Sequence, residues 1–159
     1  MLRILVMVAG LLVAATESPR AKTDPVALEV ARKWLQAVAS GEPTSVEKGT
    51  ALPFTYTTTA KVKQCEGKVP DPKALTNWLK CLRTSNDLLV GEVQRGTLMP
   101  SDPPNVQSKA LRSLGSKLSR NGKWIEAYIN GDGVTYTFRF LIVDEGVAAF
   151  LVESEFETG

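Results

Sequence analysis

The last third of the chain carries an alternating pattern that commits it to a β-sheet. Apolar and polar residues alternate along three runs, 124–129, 134–143 and 147–156, and glycine-containing segments separate the runs. Alternation with a period of two places one set of side chains on each face of a strand, and short connections with glycine join antiparallel neighbours. The sequence therefore predicts a three-stranded antiparallel meander in this part of the chain.

Matching the apolar side chains across the two connections predicts the register of the meander. In the first hairpin the matching pairs Ile129 with Val134, and in the second a three-residue loop at 144–146 pairs Phe140 with Phe150. Both hairpins then place their apolar residues on one face of the sheet. A slip by one residue would move every side chain to the other face, so the apolar matching determines on which face of the sheet each side chain lies.

Upstream of the meander, the pattern predicts helices followed by single strands. Asp24-Pro25 and Asp71-Pro72 each combine a capping carboxylate with proline at the first helical position, and an apolar stripe follows both pairs. Helices are predicted from 25 to Gly41, at 43–48, from 72 to about 85 and at 105–120, strands at 53–60 and 88–94, and a loop at 100–104. This order predicts an α+β domain over residues 24–159, with three main helices packed on a curved, mainly antiparallel sheet of four to six strands.

The first fifteen residues indicate an export signal. Arg3 supplies the positive start, Ile4–Val13 form an apolar run too short to span a bilayer, and Ala15 is a small residue where cleavage would occur. The run contains no cysteine for lipid attachment, so no stable membrane anchor is predicted. We expect an exported protein, periplasmic or secreted, that begins near Thr16 with a flexible start at 16–23.

The two cysteines, Cys65 and Cys81, are predicted to form a structural disulfide. They are sixteen positions apart, and an even pair in an exported protein favours a disulfide. A redox pair usually has the closer Cys-x-x-Cys spacing, which is absent here.

Composition excludes several classes of function. The chain has 19 basic and 17 acidic residues, so this near-balance does not predict nucleic acid as a partner. It has no histidine, which excludes serine–histidine–aspartate triads and leaves two thiols as a poor zinc site. No metal, cofactor or catalytic residue is predicted. The basic stretch at 106–123 is interpreted as a solvated helix face, with contact to an anionic membrane or partner as the alternative.

The layout resembles the nuclear-transport-factor-2-like superfamily, in the form found in exported bacterial proteins. The residues that carry this resemblance are the strand opening Pro53–Tyr56 and the meander segment Ile129–Tyr136, within a similarity that spans about residues 24–157. The resemblance implies a cone, in which a curved antiparallel sheet wraps around helices and encloses a cavity. The family includes binding modules, isomerases of the ketosteroid type, polyketide cyclases and epoxide hydrolases, so the fold does not select a function.

The leading hypothesis is a non-enzymatic module that binds a small apolar or amphipathic ligand in the cone. Tyr136 and Ser154 are predicted neighbours on the apolar face, and Tyr56 lies on the inward face of the first strand if Phe54 is in the core. Converging hydroxyls in an apolar cavity can orient a ligand. The alternative is that each hydroxyl bonds to the backbone or to water within an ordinary core.

Two other functions stay open at this stage. A protein-interaction or structural module, such as a homodimer, would associate through the mixed face around Trp124, Arg139 and Leu151. An isomerase or cyclase would need a carboxylate base in an apolar cavity, and Glu126 and Glu153 are the glutamates of the meander strands. The predicted register points both glutamates away from the apolar face.

Overall fold

Three helices and six strands make up the part of the chain that this computed structural model describes, residues 24–59, 64–85, 96–104, 122–131 and 133–156. The elements in chain order are α1 (Pro25–Ser40), α2 (Pro43–Lys48), β1 (Thr50–Thr58), β2 (Gly67–Val69), α3 (Pro72–Thr84), β3 (Met99–Ser101), β4 (Lys123–Gly131), β5 (Val134–Val143) and β6 (Gly146–Phe156). The export signal predicted at 1–15, the flexible start predicted at 16–23, the strand predicted at 88–94 and the helix predicted at 105–120 lie outside the described residues.

The two long helices begin and end where the sequence predicts. One Asp24 carboxylate oxygen accepts hydrogen bonds from the Val26 and Ala27 amides at 3.1 and 3.2 Å, and Gly41 ends α1 in the left-handed conformation with φ of 71°. Asp71 caps α3 in the same way by accepting from the Ala74 amide at 2.8 Å. Local capping chemistry is enough to define these boundaries.

The six strands form one sheet in the order β2-β1-β6-β5-β4-β3. Every neighbouring pair is antiparallel except β1 and β6, which are parallel. The long path through the helices and the other strands permits this parallel pairing. This arrangement confirms the prediction of an α+β fold with a mainly antiparallel sheet that ends in a three-stranded meander.

The predicted register of the β4–β5 hairpin is wrong by two residues. Ile129 pairs with Tyr136 instead of Val134, and Gly131 pairs with Val134, so two residues connect the strands. A two-residue connection with positive φ, here 76° at Gly133, matches the twist of the strands better than the longer loop. A shift by two keeps every side chain on its face, which is why apolar matching did not detect it.

The predicted pairing of β5 with β6 is confirmed, although its turn differs. Phe140 pairs with Phe150 as expected, but the loop has two residues, Asp144 and Glu145, and Val143 pairs with Gly146. A bulge at Ala148, between the Ile142 and Leu141 pairs, adds the residue that a three-residue loop would have added. The shorter loop and the bulge offset each other, so the predicted register holds from the Leu141–Ala149 pair onward.

The predicted loop at 100–104 is also corrected, because Met99–Ser101 form an edge strand. Pro100 pairs with Ile125 at the end of the sheet. Proline lacks an amide hydrogen, but an edge strand tolerates this because one of its sides needs no partner. The other edge, β2, is equally short, and the sequence contains no periodic signal for a three-residue strand.

The sheet has two buried faces. The inner face carries Phe138, Phe140 and Phe150, which pack in one core with the apolar stripes of α1 and α3. The outer face carries a second buried cluster that contains Trp124, Leu141, Ala148, Ala149 and Leu151. The predicted inward residues of β1, Phe54 and Tyr56, belong to the first of these cores.

Candidate functional site

Aromatic rings fill the middle of the inner face. Trp34 from α1 lies with its ring centroid 5.5 to 6.1 Å from those of four other rings. The rings in this aromatic core are those of Trp34, Phe54, Tyr56, Trp78, Phe140 and Phe150. Each of these residues is less than 5% exposed. This part of the inner face is therefore packed core, and a ligand could enter it only by displacing side chains.

Tyr136 and Ser154 lie directly opposite each other further along the inner face. They are paired across β5 and β6, with Ile129 of β4 on the other side of Tyr136. All three are partly exposed, and the Tyr136 ring stacks on Phe138 with centroids 6.4 Å apart. We call Ile129, Tyr136 and Ser154 the Tyr136 row.

Tyr56 does not lie in the Tyr136 row. It pairs with Phe150, whereas Ser154 lies four residues further along β6, so one whole row that contains Phe138 and Val152 separates the two tyrosines. At about 3.3 Å per residue this separation is about 13 Å along the strands. Tyr56 is 2% exposed and its ring contacts Trp78 and Phe150. The structure brings Tyr136 and Ser154 together and leaves Tyr56 in the aromatic core.

The Tyr136 row carries two side-chain hydroxyls, those of Tyr136 and Ser154. Within the described ranges, neither the Tyr136 nor the Ser154 side chain makes a hydrogen bond, although the Ser154 amide donates to the Thr59 hydroxyl at 2.9 Å. Polar atoms at a partly exposed apolar surface are the usual means of orienting a small molecule.

A charged cluster on the outer face surrounds Arg139. Its guanidinium contacts the Glu126 carboxylate at 3.5 Å and donates a hydrogen bond to Glu153. Ser101 on the edge strand donates to Glu126 at 2.8 Å. The corrected register explains this arrangement, because it places Glu126 directly opposite Arg139 instead of diagonal to it.

Tyr128 lies beside the same cluster, and the Glu126 carboxylate changes its pKa. A hydrogen bond to the Glu126 carboxylate raises the pKa of Tyr128 above its usual value of 10.0, with burial and repulsion from that carboxylate acting in the same direction. Arg139 opposes the shift but does not cancel it. Tyr128 is 43% exposed, so this carboxylate–tyrosine pair lies at an open surface.

The cysteines, which the sequence predicts as a pair, lie at bonding distance. The two sulfur atoms are 2.13 Å apart and the Cα atoms 5.7 Å apart. Cys65 precedes β2 and Cys81 lies in α3, so the link ties the sheet edge to the helix beside it.

No protein-family model and no curated protein sequence matches the chain. Among solved structures, it is similar to a protein described as NTF2-like, that is nuclear-transport-factor-2-like, from Burkholderia xenovorans. The identity is 9% and the TM-score 0.47, and the match covers 85% of this chain and 93% of that one. The fold resembles that of nuclear-transport-factor-2-like proteins.

Two further solved structures have the same layout. An NTF2-like protein of unknown function from Burkholderia pseudomallei has 9% identity and a TM-score of 0.42, over 82% of this chain and 90% of that one. An LEH-like epoxide hydrolase from Mycobacterium tuberculosis has 9% identity and a TM-score of 0.43, over 82% and 84%. These likenesses describe the fold and carry no argument about activity.

Within the described residues, the carboxylates lie apart from the apolar core. Among the described residues, the buried polar side chains are Thr55, Thr58 and Thr137, and no aspartate or glutamate is buried with them. Glu126 and Glu153 lie on the outer face, as the predicted orientation of these strands requires. The described inner face of the meander therefore carries hydroxyls, whereas the glutamates of its strands lie on the other face.

Two apolar residues of the face suggested for self-association are buried. Trp124 is 5% exposed and Leu151 2% exposed, and both pack with Leu141 in the second apolar cluster. The mixed composition of the outer face reflects a charged cluster beside a second core.

The sequence did not point to the cavities that the structure records beside α1. Two surface cavities lined by described residues lie between this helix and Glu145 of the β5–β6 turn, and one of them also reaches α2. The available signal is a second apolar stripe on α1, formed by Val26, Val30 and Ala37, next to the stripe that enters the core.

Proposed function

We propose that the protein is an exported, non-enzymatic module that binds a small apolar or amphipathic ligand at the Tyr136 row. One observation carries the proposal: two neighbouring hydroxyls, without side-chain partners in the described ranges, lie at the partly exposed margin of an apolar core. The apolar part of the ligand would cover Ile129, and its polar group would meet Tyr136 and Ser154. Tyr56 would support the ligand from the core without touching it.

The charge distribution supports binding over catalysis. A base that works on a ligand at the Tyr136 row would have to lie within hydrogen-bonding reach of it. The carboxylates of the meander strands, Glu126 and Glu153, are instead engaged with Arg139 on the opposite face. The Tyr136 row can thus orient a ligand through its hydroxyls while leaving its bonds intact.

The proposed location rests on the leader and on the cysteines. Residues 1–15 have the pattern of an export signal, and a disulfide at Cys65 and Cys81 suits an oxidising compartment. Among the helices described, none is both long and apolar enough to cross a bilayer. Expression of the full chain in bacteria, followed by fractionation and N-terminal sequencing, should recover a product outside the cytoplasm that begins near Thr16. A full-length cytoplasmic product would contradict export.

Binding can be tested with the amphipathic fluorescent probe anilinonaphthalenesulfonate and with a panel of hydrophobic metabolites in thermal-shift assays. Tyr136→Ala and Ser154→Ala should weaken binding, and the double variant should abolish it. Tyr128→Ala is the matched control, because Tyr128 lies in the neighbouring strand but on the outer face. Equal affinity in all variants, or loss of affinity in the control alone, would place the ligand elsewhere and reject the proposal.

A further inference from the structure

The outer face of the sheet is buried, although the described helices pack on the inner one. The buried residues of its apolar cluster all belong to strands, and each is 5% exposed or less: Trp124, Leu141, Ala148, Ala149 and Leu151. The buried apolar residues of α1, α2 and α3 all belong to the core on the inner face. One face of a sheet stays exposed to solvent unless a second layer packs on it. The cover of the outer face is therefore none of the described helices.

Burial on the outer face is confined to a band about one helix wide. Trp124, Leu141, Ala149 and Thr55 are paired side by side from β4 to β1, and each is 5% exposed or less. We call these four residues the Trp124 row. Four residues further along β4, Tyr128 on the same face is 43% exposed, so the cover ends within about 13 Å of Trp124 at about 3.3 Å per residue. A helix with its side chains is about 10–12 Å across.

The Trp124 row has a length that a short helix can cover. It crosses three strand spacings from β4 to β1, about 14 Å at about 4.8 Å each. The helix predicted at 105–120 has an apolar stripe that consists of Val106, Ala110, Leu111, Leu114 and Leu118. The ends of this stripe are twelve residues apart, which corresponds to about 18 Å in a helix. The stripe is therefore long enough to cross the whole row.

The segment 105–121 leaves and rejoins the sheet beside the Trp124 row. Ser101 of β3 pairs with Trp124 of β4, and the segment lies between these two strands in the chain. Pro104, the last described residue before the segment, is buried. Six residues lead from Leu118 to Trp124, and in extended form they span about 20 Å. The stripe can therefore reach the far strands of the row and the chain can still return to β4.

The charges of the segment and of the outer face have opposite sign. The segment 105–121 contains no acid and four basic residues, which are Lys109, Arg112, Lys117 and Arg120. The described outer face of the meander carries one arginine, Arg139, and three glutamates, which are Glu126, Glu153 and Glu155. Opposite charges at the margin of an apolar contact favour the association and select against partners of like charge.

The other segments outside the described residues fit the Trp124 row less well. The segment 86–95 carries Asp87 and Glu92 against one base, Arg95, and it follows α3, which packs on the inner face. Residues 16–23 include no large apolar side chain, and 60–63 and 157–159 are too short to cross 14 Å as a helix. The export signal predicted at 1–15 would be removed. The segment 105–121 is the occupant that these observations favour.

The Trp124 indole nitrogen gives a second indication of what covers it. This nitrogen is buried and makes no hydrogen bond to any described residue. Buried N–H groups without an acceptor are rare in native proteins. Gln107 lies four residues before Leu111 and seven before Leu114, so a helix would place its side chain on the same side as the apolar stripe. The one polar side chain at that position of the stripe can supply the acceptor that Trp124 lacks.

We propose that residues 105–121 form a helix that packs its apolar stripe on the Trp124 row. The Gln107 side-chain oxygen would accept a hydrogen bond from the Trp124 indole nitrogen, and the basic residues would lie towards the glutamates at the margin. A second copy of the chain would then have to displace this helix in order to reach the row. The Tyr136 row lies on the inner face, so the failure of one proposal leaves the other intact.

Oxidative footprinting with hydroxyl radicals, read by mass spectrometry, tests the cover in the chain from Thr16 to Gly159. The double variant Leu111→Asp/Leu114→Asp should raise the labelling of Trp124 about ninefold, which is the ratio of the exposed fractions of Tyr128, 43%, and Trp124, 5%. Trp34 should stay protected, which shows that the inner core is intact. Unchanged protection of Trp124 in this variant overturns the proposal.

Matched variants exclude an effect of added charge and another occupant. Ser116→Asp/Ser119→Asp adds the same charge on the side of the predicted helix opposite the stripe, and it should leave Trp124 protected. Leu88→Asp/Leu89→Asp alters the segment 86–95 and should also leave Trp124 protected. Equal exposure of Trp124 in the serine variant, or exposure in the Leu88 variant alone, overturns the proposal.

Cross-linking of the unaltered chain tests the same contact without a substitution. A carbodiimide joins lysine amines to carboxylates in direct contact, so Lys109 or Lys117 should link to the outer-face glutamates Glu126, Glu153 or Glu155. The exposed carboxylates of Glu42 and Glu47 beside and within α2 are the controls and should form no such link. A mixture of unlabelled and heavy-isotope-labelled chains separates links within one chain from links between copies. Links to the α2 carboxylates instead, or links between copies only, overturn the proposal.

Discussion

The indole nitrogen of Trp34 donates a hydrogen bond to the Thr50 hydroxyl at 2.9 Å. Thr50 in turn donates to the Val46 carbonyl at 2.6 Å. This chain connects α1, β1 and the last turn of α2 through one threonine. Trp34 is the ring around which the aromatic core is arranged, so its polar atom is satisfied by the residue that begins the first strand.

Replacing Thr50 with valine should destabilise the fold, although the two side chains have nearly the same shape. The variant keeps the shape of the side chain but leaves the Trp34 indole nitrogen without its acceptor, which costs about 1–3 kcal/mol of unfolding free energy. Urea denaturation measures the loss. Thr84→Val is the control, because Thr84 is exposed and bonds only to α3 carbonyls, and its cost should stay below about 0.5 kcal/mol. Equal losses of unfolding free energy in the two variants would contradict the prediction that the Trp34–Thr50 hydrogen bond stabilises the fold.

The Cys65–Cys81 link should contribute about 3 kcal/mol to stability in the chain-entropy treatment of a loop of this length. Mass spectrometry of unreduced peptides should detect the bond in protein from an oxidising compartment. The double variant with both cysteines replaced by serine should have an unfolding free energy lower by that amount, as measured by urea denaturation. Two free thiols in native protein, or a double variant as stable as the original, would contradict this prediction.

Replacing Arg139 should destabilise the fold, because the guanidinium group balances the charges of the Glu126 and Glu153 carboxylates beside it. The Glu126 side chain is only 13% exposed, so Arg139→Met would leave it partly buried without a counter-charge, at a cost of about 2–3 kcal/mol. Adding Glu126→Gln to that variant removes the unpaired charge and should restore most of the loss. Thermal and urea unfolding of the two single variants and the double variant measure this coupling. Additive losses in the double variant would rule out the electrostatic explanation.

Stability should fall at high pH through Tyr128. The hydrogen bond to Glu126 raises the pKa of Tyr128 above 10.0 in the folded protein, so the folded state holds this proton more tightly than the unfolded state does. The contribution is therefore complete below pH 10 and is lost as the pH rises through the folded-state pKa. The tyrosinate absorbance of the native chain, compared with that of Tyr128→Phe, isolates this titration. Glu126→Gln should move the pKa back towards 10.0, and a pKa unchanged by that variant would contradict the assignment.

Glycine at the β5–β6 turn should stabilise the protein. A non-glycine residue in the left-handed region costs about 1–2 kcal/mol, and the extra freedom of glycine in the unfolded chain returns about 0.4–1 kcal/mol of that. Glu145→Gly should therefore gain about 0.5–1 kcal/mol and Asp144→Gly somewhat less, since aspartate tolerates the conformation. Urea denaturation measures both gains. A loss of stability in Glu145→Gly would show that its side chain makes a stabilising contact.

Several features of the candidate site could be predicted because their cause is local. The pairing of Tyr136 with Ser154 follows from alternation along two adjacent strands and a short turn. The placement of Tyr56 with them could not be predicted, because the register between β1 and β6 depends on a parallel pairing between residues far apart in the chain. The cavities beside α1 were missed for a similar reason, since Glu145 lines them from a turn that is far from α1 in the chain.

The sequence by itself determined the two long helices with their caps and the faces of the meander strands, since Asp-Pro pairs, Gly41 and alternation act over a few residues. It contained no such signal for the short edge strands β2 and β3. Only the tertiary structure decided which residues of neighbouring strands pair and which side chains fill the inner face. It also decided that apolar residues of the outer face are buried. A shift of two residues in β4 preserves every apolar contact type, so Ile129 opposite Tyr136 and Ile129 opposite Val134 look equally good in the sequence. The choice between them depends on turn geometry and on packing around Trp34, which involve residues from every part of the domain.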